Sequence, residues 1–276
     1  MMHECTGKKF ILNGTLESCE HFENRMVYEG DSIYEVIRMV KGTPVFFDDH
    51  FSRLESSVKL QKKNMLAGRN TLRKDIMAIS KSDKKKEINL KIVFNYSSAE
   101  ENYLVYFIEA FYPSEEQYRN GVKGILFNAE RKDPASKVIY HKLRSSVSHT
   151  LMHEGGYEAI LVNEKGLITE GSRSNIFFLK GDVLITAPDE MVLSGITRKY
   201  VLDICKQERI EVQFKCVAAD KIAEYDAVFM TGTSPMVLPF RMIGNNEFRV
   251  RFALIEKLRN IYVMKIEESI RNFRSE

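Results

Sequence analysis

Glu170 stands where a carboxylate is hard to accommodate. It lies in LITEGSRSNIFFLKG, residues 167–181, between Leu167-Ile168 and the apolar run Ile176-Phe177-Phe178-Leu179. Burying a carboxylate in such a segment costs several kcal/mol unless a cation or strong donor meets it. Arg173 is a local candidate, and a protonated ring nitrogen of a bound cofactor is a chemical one. Three further stretches suit an anion. LSGITRKYV, residues 193–201, puts Gly195, Ile196 and Thr197 at the start of an expected helix. There, unbonded N–H groups and the helix dipole favour negative charge. FMTGTSPMVLP, residues 229–239, puts Thr231, Gly232, Thr233 and Ser234 directly after an expected strand. Glycine lets a ligand approach the backbone, and the hydroxyls can donate to phosphate oxygens. DDHFSRLESS carries His50 and Arg53 three residues apart on one helix face, and Arg53 offers a forked, permanent cation. Each also has a plainer reading: local satisfaction, helix capping, a turn, or a surface arginine over an apolar stem.

The elements that must position these residues follow from periodicity. Short strands are expected at KFILNG and MVYEG. A hairpin is expected over SIYEVIRMVKGTPVFF, with Lys41-Gly42-Thr43-Pro44 as its turn. A helix should follow, capped by Asp48 or Asp49, with Phe51, Leu54 and Val58 at helical spacing. Another helix is expected over RNTLRKDIMAIS and strands over INLKIVFNY and NYLVYFIEAFYP. The polar stretch YPSEEQYRNG reads as a link between two domains, a small N-terminal α/β domain over 1–114 and a larger one over 115–276. Beyond it come a strand (VKGILFN), a helix (SSVSHTLMHEGG) and a β-meander through YEAILVN, LITEGSRSNIFFLK and VLITA. The helix TRKYVLDICKQE, the strands IEVQFKCV and YDAVFMTG, and a last amphipathic helix complete a mixed α/β chain.

Composition narrows the function classes. The 276 residues are 44% hydrophobic and 29% charged, so the chain can bury a large core and is not disordered. With 41 Lys+Arg against 38 Asp+Glu, it lacks the lopsided basic excess of a nucleic-acid binder. The run KSDKKKE, residues 81–87, reads as a solvated loop between a helix and a strand. Four cysteines show neither zinc-ligand spacing nor a disulfide framework, and Cys205 reads as core. With no signal pattern at the N-terminus and no apolar run of membrane length, a soluble cytoplasmic protein without metal is expected.

The ordered set of motifs resembles the fold-type IV pyridoxal-phosphate enzymes, the class IV aminotransferases. That family includes D-amino-acid and branched-chain aminotransferases and aminodeoxychorismate lyase. A GD…YE strand, an HxxRL helix, a lysine, EGSRSNIF, GITR and TGTS before a proline occur in the shared order, from Tyr28 to Pro239. The resemblance implies a two-domain D-amino-acid aminotransferase-like fold, usually a homodimer. It implies pyridoxal 5′-phosphate with its phosphate at Arg53, Ile196, Thr197, Gly232 and Thr233, and Ser174 and Asn175 also near the cofactor. Glu170 then faces the pyridine nitrogen, which explains a carboxylate in a core.

The family's lysine lies 20 residues before the position of Tyr157, which is Lys137 in DPASKVIYHKLRSS; Lys142 is the rival. That amine would hold the cofactor aldehyde and shuttle the substrate proton. Where the family tends to have asparagine three residues later, this chain has Tyr140. Tyr34 and Val36, on one strand face, are the expected substrate contacts. D-amino-acid aminotransferases carry two basic residues for the substrate carboxylate just after the strand matching LKIVFNY. Here FNYSSAEENYLVYF has none, which argues against that specificity. The expected activity is amino transfer between an amino acid, with a branched-chain one as the guess, and a 2-oxo acid. Two alternatives are the lyase reaction, giving 4-aminobenzoate and pyruvate, and a cofactor binder without turnover.

Overall fold

The computed structural model describes residues 4–83 and 87–275. Lys84, Lys85 and Lys86, the middle of the expected solvated loop, lie outside the described residues. The chain is mixed α/β and divides into two compact units. One comprises the chain up to Phe111, Ser136–Ile139 and the chain from Ile266; the other comprises Tyr112–Ala135 and Tyr140–Lys265. The expected division at 114/115 assigned Lys137 to the C-terminal domain. Ser136–Ile139, which carries it, instead belongs with the first unit.

The first unit is built on six strands: β1 (Lys9–Leu12), β2 (Thr15–Ser18), β3 (Asp31–Val40), β4 (Thr43–Pro44), β5 (Glu87–Tyr96) and β6 (Glu101–Ile108), in the order β2-β1-β6-β5-β3-β4. β3 and β5 pair antiparallel from Asp31↔Tyr96 to Val40↔Glu87. Period two sorts β3 into a buried row, Ile33, Glu35, Ile37 and Met39, and a half-buried row, Tyr34, Val36, Arg38 and Val40. Helices α2 (Phe47–Leu60) and α3 (Arg69–Ser82) put Leu54, Val58, Leu72, Ile76 and Ile79 into one core with Ile33, Ile37, Leu90 and Ile92. Each such side chain contributes about 2 kcal/mol by leaving water. The opposite sheet face carries Phe10, Val93, Leu104 and Tyr106, with Phe22 and Tyr34 packed against them.

Local chemistry explains several departures from expectation. MVYEG contributes to a one-turn helix, α1 (Arg25–Tyr28), not a strand. Lys41 and Gly42 take φ of 50° and 72°, the paired left-handed turn that joins β3 to β4. α2 is entered through Phe46 in the left-handed region, so Asp48 and Asp49 lie in its first turn and do not cap it. There their charges still oppose the helix dipole. Cys5 and Cys19, expected as free thiols, are joined as a disulfide with Cα atoms 6.4 Å apart. The β1–β2 hairpin, with Lys9 opposite Ser18, brings these sequence-distant residues together.

The second unit holds a ten-stranded sheet. Its elements are α4 (Glu115–Asn120), β7 (Val122–Asn128), α5 (His141–Glu154), β8 (Glu158–Val162), β9 (Leu167–Gly171), β10 (Asn175–Lys180) and β11 (Val183–Thr186). They continue with α6 (Ile196–Gln207), β12 (Val212–Phe214), β13 (Val217–Ala218), β14 (Ala227–Gly232), β15 (Met236–Ile243), β16 (Asn246–Glu247) and α7 (Ala253–Ser275), whose residues from Ile266 belong to the first unit. The order is β12-β11-β10-β14-β15-β7-β8-β9-β13, with β16 on β15. The expected linker forms α4, whose Ser114 and Gln117 make a reciprocal capping box. The expected meander is broken at Ser172–Ser174: β9 pairs with β8, and β10 pairs with β11 and β14. β15 has no counterpart among the expected elements. Pro239 is tolerated opposite Phe229 because the ladder to β7 begins only at Phe240.

Candidate active site

The backbone around Lys137 is fixed by α2 and β3. Lys137 N–H donates to Ser57 Oγ at 3.1 Å, and Tyr34 N–H donates to the Lys137 carbonyl at 3.0 Å. Ile139 N–H donates to the Ser32 carbonyl at 3.0 Å, and Val138 bridges to Ile33. Residues 137–139 therefore act as a short strand laid along the start of β3. This holds the Lys137 ammonium 4.9 Å from the centre of the Tyr34 ring. Val36, the other expected substrate contact, is half-buried on the same strand face. Lys142, by contrast, is exposed on α5.

His50 and Arg53 share a helix face as expected, but that face meets Glu35, which the sequence reading did not single out. Arg53 Nε and Nη2 each donate at 2.7 Å to the two Glu35 oxygens, and His50 Nδ1 lies 2.7 Å from Oε2. The fork expected to hold a phosphate is thus engaged by a fully buried carboxylate. Two of the five guanidinium donors are used in this way. Burial pushes the Glu35 pKa up, but the Arg53 charge and hydrogen bonds, with those of His50, outweigh it and bring it to about 2. Burial lowers the His50 pKa, as do Arg53 and Lys137, against the opposing pull of Glu35.

Both shifts weaken the fold in acid. The unfolded chain protonates His50 below about pH 6.5 while the folded chain resists, so stability falls from there downward. Glu35 contributes stability above the ordinary carboxylate range, and this is lost as pH falls towards about 2. Urea midpoints at pH 7.5, 5.5 and 3.5 should decline at both steps, and His50→Gln should remove the first. A midpoint that rises between pH 7.5 and 5.5 would contradict the assignment.

In the second unit, Glu170 is 2% exposed on β9. Its carboxylate accepts the Leu193 N–H at 3.1 Å and lies 3.2 Å from Arg131 Nε. The cation beside it is therefore Arg131, not the adjacent Arg173. The turn after it is organised by Glu158, buried on β8. Glu158 accepts Ser172 Oγ at 2.6 Å, Ser174 Oγ at 2.9 Å, Ser172 N at 3.1 Å and Ala159 N at 2.9 Å. Ser174 thus secures the turn, while Asn175 Nδ2 donates to the Leu193 carbonyl at 2.9 Å. Leu193 in this way ties Asn175 and Glu170 to the approach to α6.

The residues at the start of α6 and the end of β14 fit an anionic group. Gly195 caps α6 without a side-chain hydrogen bond, leaving the first N–H groups to other acceptors. A Cβ at Gly195 would stand 2.0 Å from Asn175 Oδ1, so a larger residue here would have to displace the Asn175 amide from its bond to the Leu193 carbonyl. Ile196 is buried, and Thr197 Oγ1 shares a 3.0 Å hydrogen bond with the Tyr262 hydroxyl. Thr231 Oγ1 is buried with no hydrogen-bond partner among the described residues. Such an orphan calls for an outside partner, and Gly232 and Thr233 follow it into the turn before β15. A phosphate-bearing cofactor with a basic ring nitrogen, as pyridoxal phosphate has, suits this donor set and the Glu170 carboxylate. Among the described residues, no group of three or more His, Cys, Asp and Glu side chains is placed to hold a metal ion. No helix among them is long and apolar enough to cross a membrane.

Three important groups were missed: Glu35, Arg131 and Glu158. Glu35 and Glu158 carried a readable signal, a charge at an apolar strand position, the same signal that singled out Glu170. Arg131 lies outside regular structure and carried none.

A family model described as amino-transferase class IV matches residues 32–243. The D-alanine aminotransferase of Bacillus licheniformis is 26% identical over 254 residues, covering 85% of this chain and 88% of that one. A probable branched-chain-amino-acid aminotransferase of Aquifex aeolicus (strain VF5) is 32% identical over 167 residues, 56% and 53% of the two chains. Among solved structures, the T.th. branched-chain amino acid aminotransferase with pyridoxamine 5′-phosphate superposes with a TM-score of 0.85 at 22% identity, covering 98% of each chain.

Proposed function

This chain belongs to the class IV aminotransferases and has their mixed α/β fold, and on that premise we propose that it uses pyridoxal 5′-phosphate to move an amino group between an apolar, branched-chain-type amino acid and a 2-oxo acid. The observation that carries the reading is the lysine clamp. Residues 137–139 are held beside Tyr34 by three hydrogen bonds of their backbone groups, two of them made by Lys137, while Lys142 is exposed.

When bound, the cofactor supplies an aldehyde that captures amino groups and a ring that accepts electron density from the substrate α-carbon. Lys137 would hold the cofactor covalently when substrate is absent. Once displaced by the substrate amine, it would take the proton from the α-carbon and later return it. Glu170, with Arg131 and the Leu193 N–H matching its charge, would keep the ring nitrogen protonated. The first N–H groups of α6, the hydroxyls of Thr231, Thr197 and Thr233, and the Gly232 backbone would receive the phosphate. Arg53 would contribute through donors other than those on Glu35. Ser174 and Asn175 would hold the surrounding segments in place. Tyr34 and Val36 would pack against an apolar substrate side chain. The reading includes a homodimer, for which resemblance is the support.

A half-reaction screen tests this. Cofactor-loaded protein is mixed with apolar L- and D-amino acids, and the released 2-oxo acid is measured. Oxo-acid release from an L-branched-chain donor, stoichiometric with the cofactor, is expected. Release only from D-amino acids would correct the substrate class. Pyruvate and 4-aminobenzoate formed from aminodeoxychorismate without an amino acceptor would favour the lyase.

A further inference from the structure

In the second unit, β15, α4 and the start of α7 enclose a cavity of about 150 Å³. That is well above the ~10–15 Å³ that one water needs, so it has room for more than solvent. Its floor is apolar: Val237 and Pro239, on one face of β15 by the period of two, and Ile255 of α7 are all buried. Its rim is basic. Arg119 comes from α4, Arg251 from the approach to α7 and Arg259 from the second turn of α7. Arg119 and Arg251 are exposed. Arg259 is half-buried, its guanidinium 4.9 Å from the centre of the Tyr118 ring, which also lines the cavity. Two carboxylates share the wall, Glu115 one turn before Arg119 and Glu256 one turn before Arg259. At those spacings both could close ion pairs. Among the described residues neither does, and no carboxylate pairs with any of the three guanidinium groups. The wall therefore sets three cations against two anions and leaves its forked donors unengaged by acid above an apolar floor. The first turn of α7, the end of a helix dipole that favours negative charge, adds to the same sign.

We propose that this cavity is a binding site for a small organic acid with an apolar body, its carboxylate held at the arginine rim and its hydrocarbon part against Val237, Pro239 and Ile255. None of the lining residues is among the proposed cofactor or substrate contacts, and the inference does not depend on the aminotransferase reading. A guanidinium meets a carboxylate through two parallel N–H donors, and the hydrocarbon part leaves water as it settles on the floor. The site discriminates in two ways. A neutral molecule of the same shape leaves the rim charges unused, and an amino acid brings an ammonium that the arginines repel. Apolar 2-oxo acids therefore suit the cavity, whereas the amino acids of the same skeleton do not.

Calorimetry on the cofactor-loaded protein tests this, with 4-methylpentanoate as the probe and 4-methylpentan-1-ol, the neutral molecule of the same skeleton, as the control. The native chain should bind the acid at least about tenfold more tightly than the alcohol. Arg119→Glu combined with Arg251→Glu changes two exposed side chains, so the fold should hold. The double variant should weaken the acid at this site by about tenfold or more. Any binding of the acid at the substrate site is read separately, as competitive inhibition of amino transfer, and should agree between native and variant chains within about twofold. The urea midpoint is a second readout, which the acid should raise further in the native chain than in the variant. A native chain that binds no acid beyond the substrate site, equal affinity for the alcohol, or binding that survives both substitutions would each overturn the proposal. Borohydride fixation of the cofactor, scored in the same samples, bears on the aminotransferase reading alone, so the two can fail separately.

Discussion

Lys137→Ala should yield a folded protein to which borohydride fixes no pyridoxal phosphate, with amino transfer reduced by about 10³-fold or more. The fold should survive because the clamp on residues 137–139 is made of backbone groups: Lys137 N to Ser57 Oγ, Tyr34 N to the Lys137 carbonyl, and Ile139 N to the Ser32 carbonyl. An alanine keeps all three. The interaction lost in the fold is the contact of the ammonium with the Tyr34 ring, worth about 0.5–1 kcal/mol at a partly exposed site. Chemistry has no such reserve, since the same amine must hold the cofactor and carry the α-proton. Lys142→Ala, an exposed change on α5, should alter neither fixation nor turnover. Peptide mapping after borohydride reduction reads the outcome directly. A label that survives in Lys137→Ala and vanishes in Lys142→Ala would move the active lysine by five residues and remove Tyr34 from the argument.

Much of this arrangement could be read from residue types and period. Glu170 was conspicuous because a carboxylate between apolar runs needs a partner. The GIT and TGTS segments were conspicuous because a helix start and a post-strand glycine turn expose donors. What could not be read was which partner each charge would find. Arg53 was expected to face a phosphate, yet its fork closes on Glu35, 18 residues away on a neighbouring element. Helical spacing places His50 and Arg53 on one face but does not say what that face meets. The meander failed for a related reason. A strand register is set by its neighbours, and the neighbours of β10 come from residues 183–186 and 227–231, not from β9. The grouping of Ser136–Ile139 with the first unit depends on edge hydrogen bonds to β3, and an irregular stretch carries no period that would announce them.

Arg53→Met should be the most damaging single change for stability, lowering it by about 3–5 kcal/mol, because it leaves Glu35 buried without its principal cation. His50 would remain at 2.7 Å, but burial disfavours its charged form, so it cannot replace a guanidinium whose charge is permanent. Urea unfolding at pH 7.5 measures the loss. Glu35→Leu combined with Arg53→Met removes the stranded carboxylate and should restore most of it. The remaining deficit, about 1–3 kcal/mol, reflects a buried His50 Nδ1 left without its acceptor. The pair of variants also separates two roles for Arg53. If its work is to neutralise Glu35, cofactor affinity should return with stability in the double variant. If its remaining donors hold the phosphate, affinity should stay depressed after stability returns, by about tenfold or more for a lost charge-assisted contact. Arg53→Met with stability within about 1 kcal/mol of the native chain would show that Glu35 does not depend on the arginine, since a stranded buried charge cannot be that cheap.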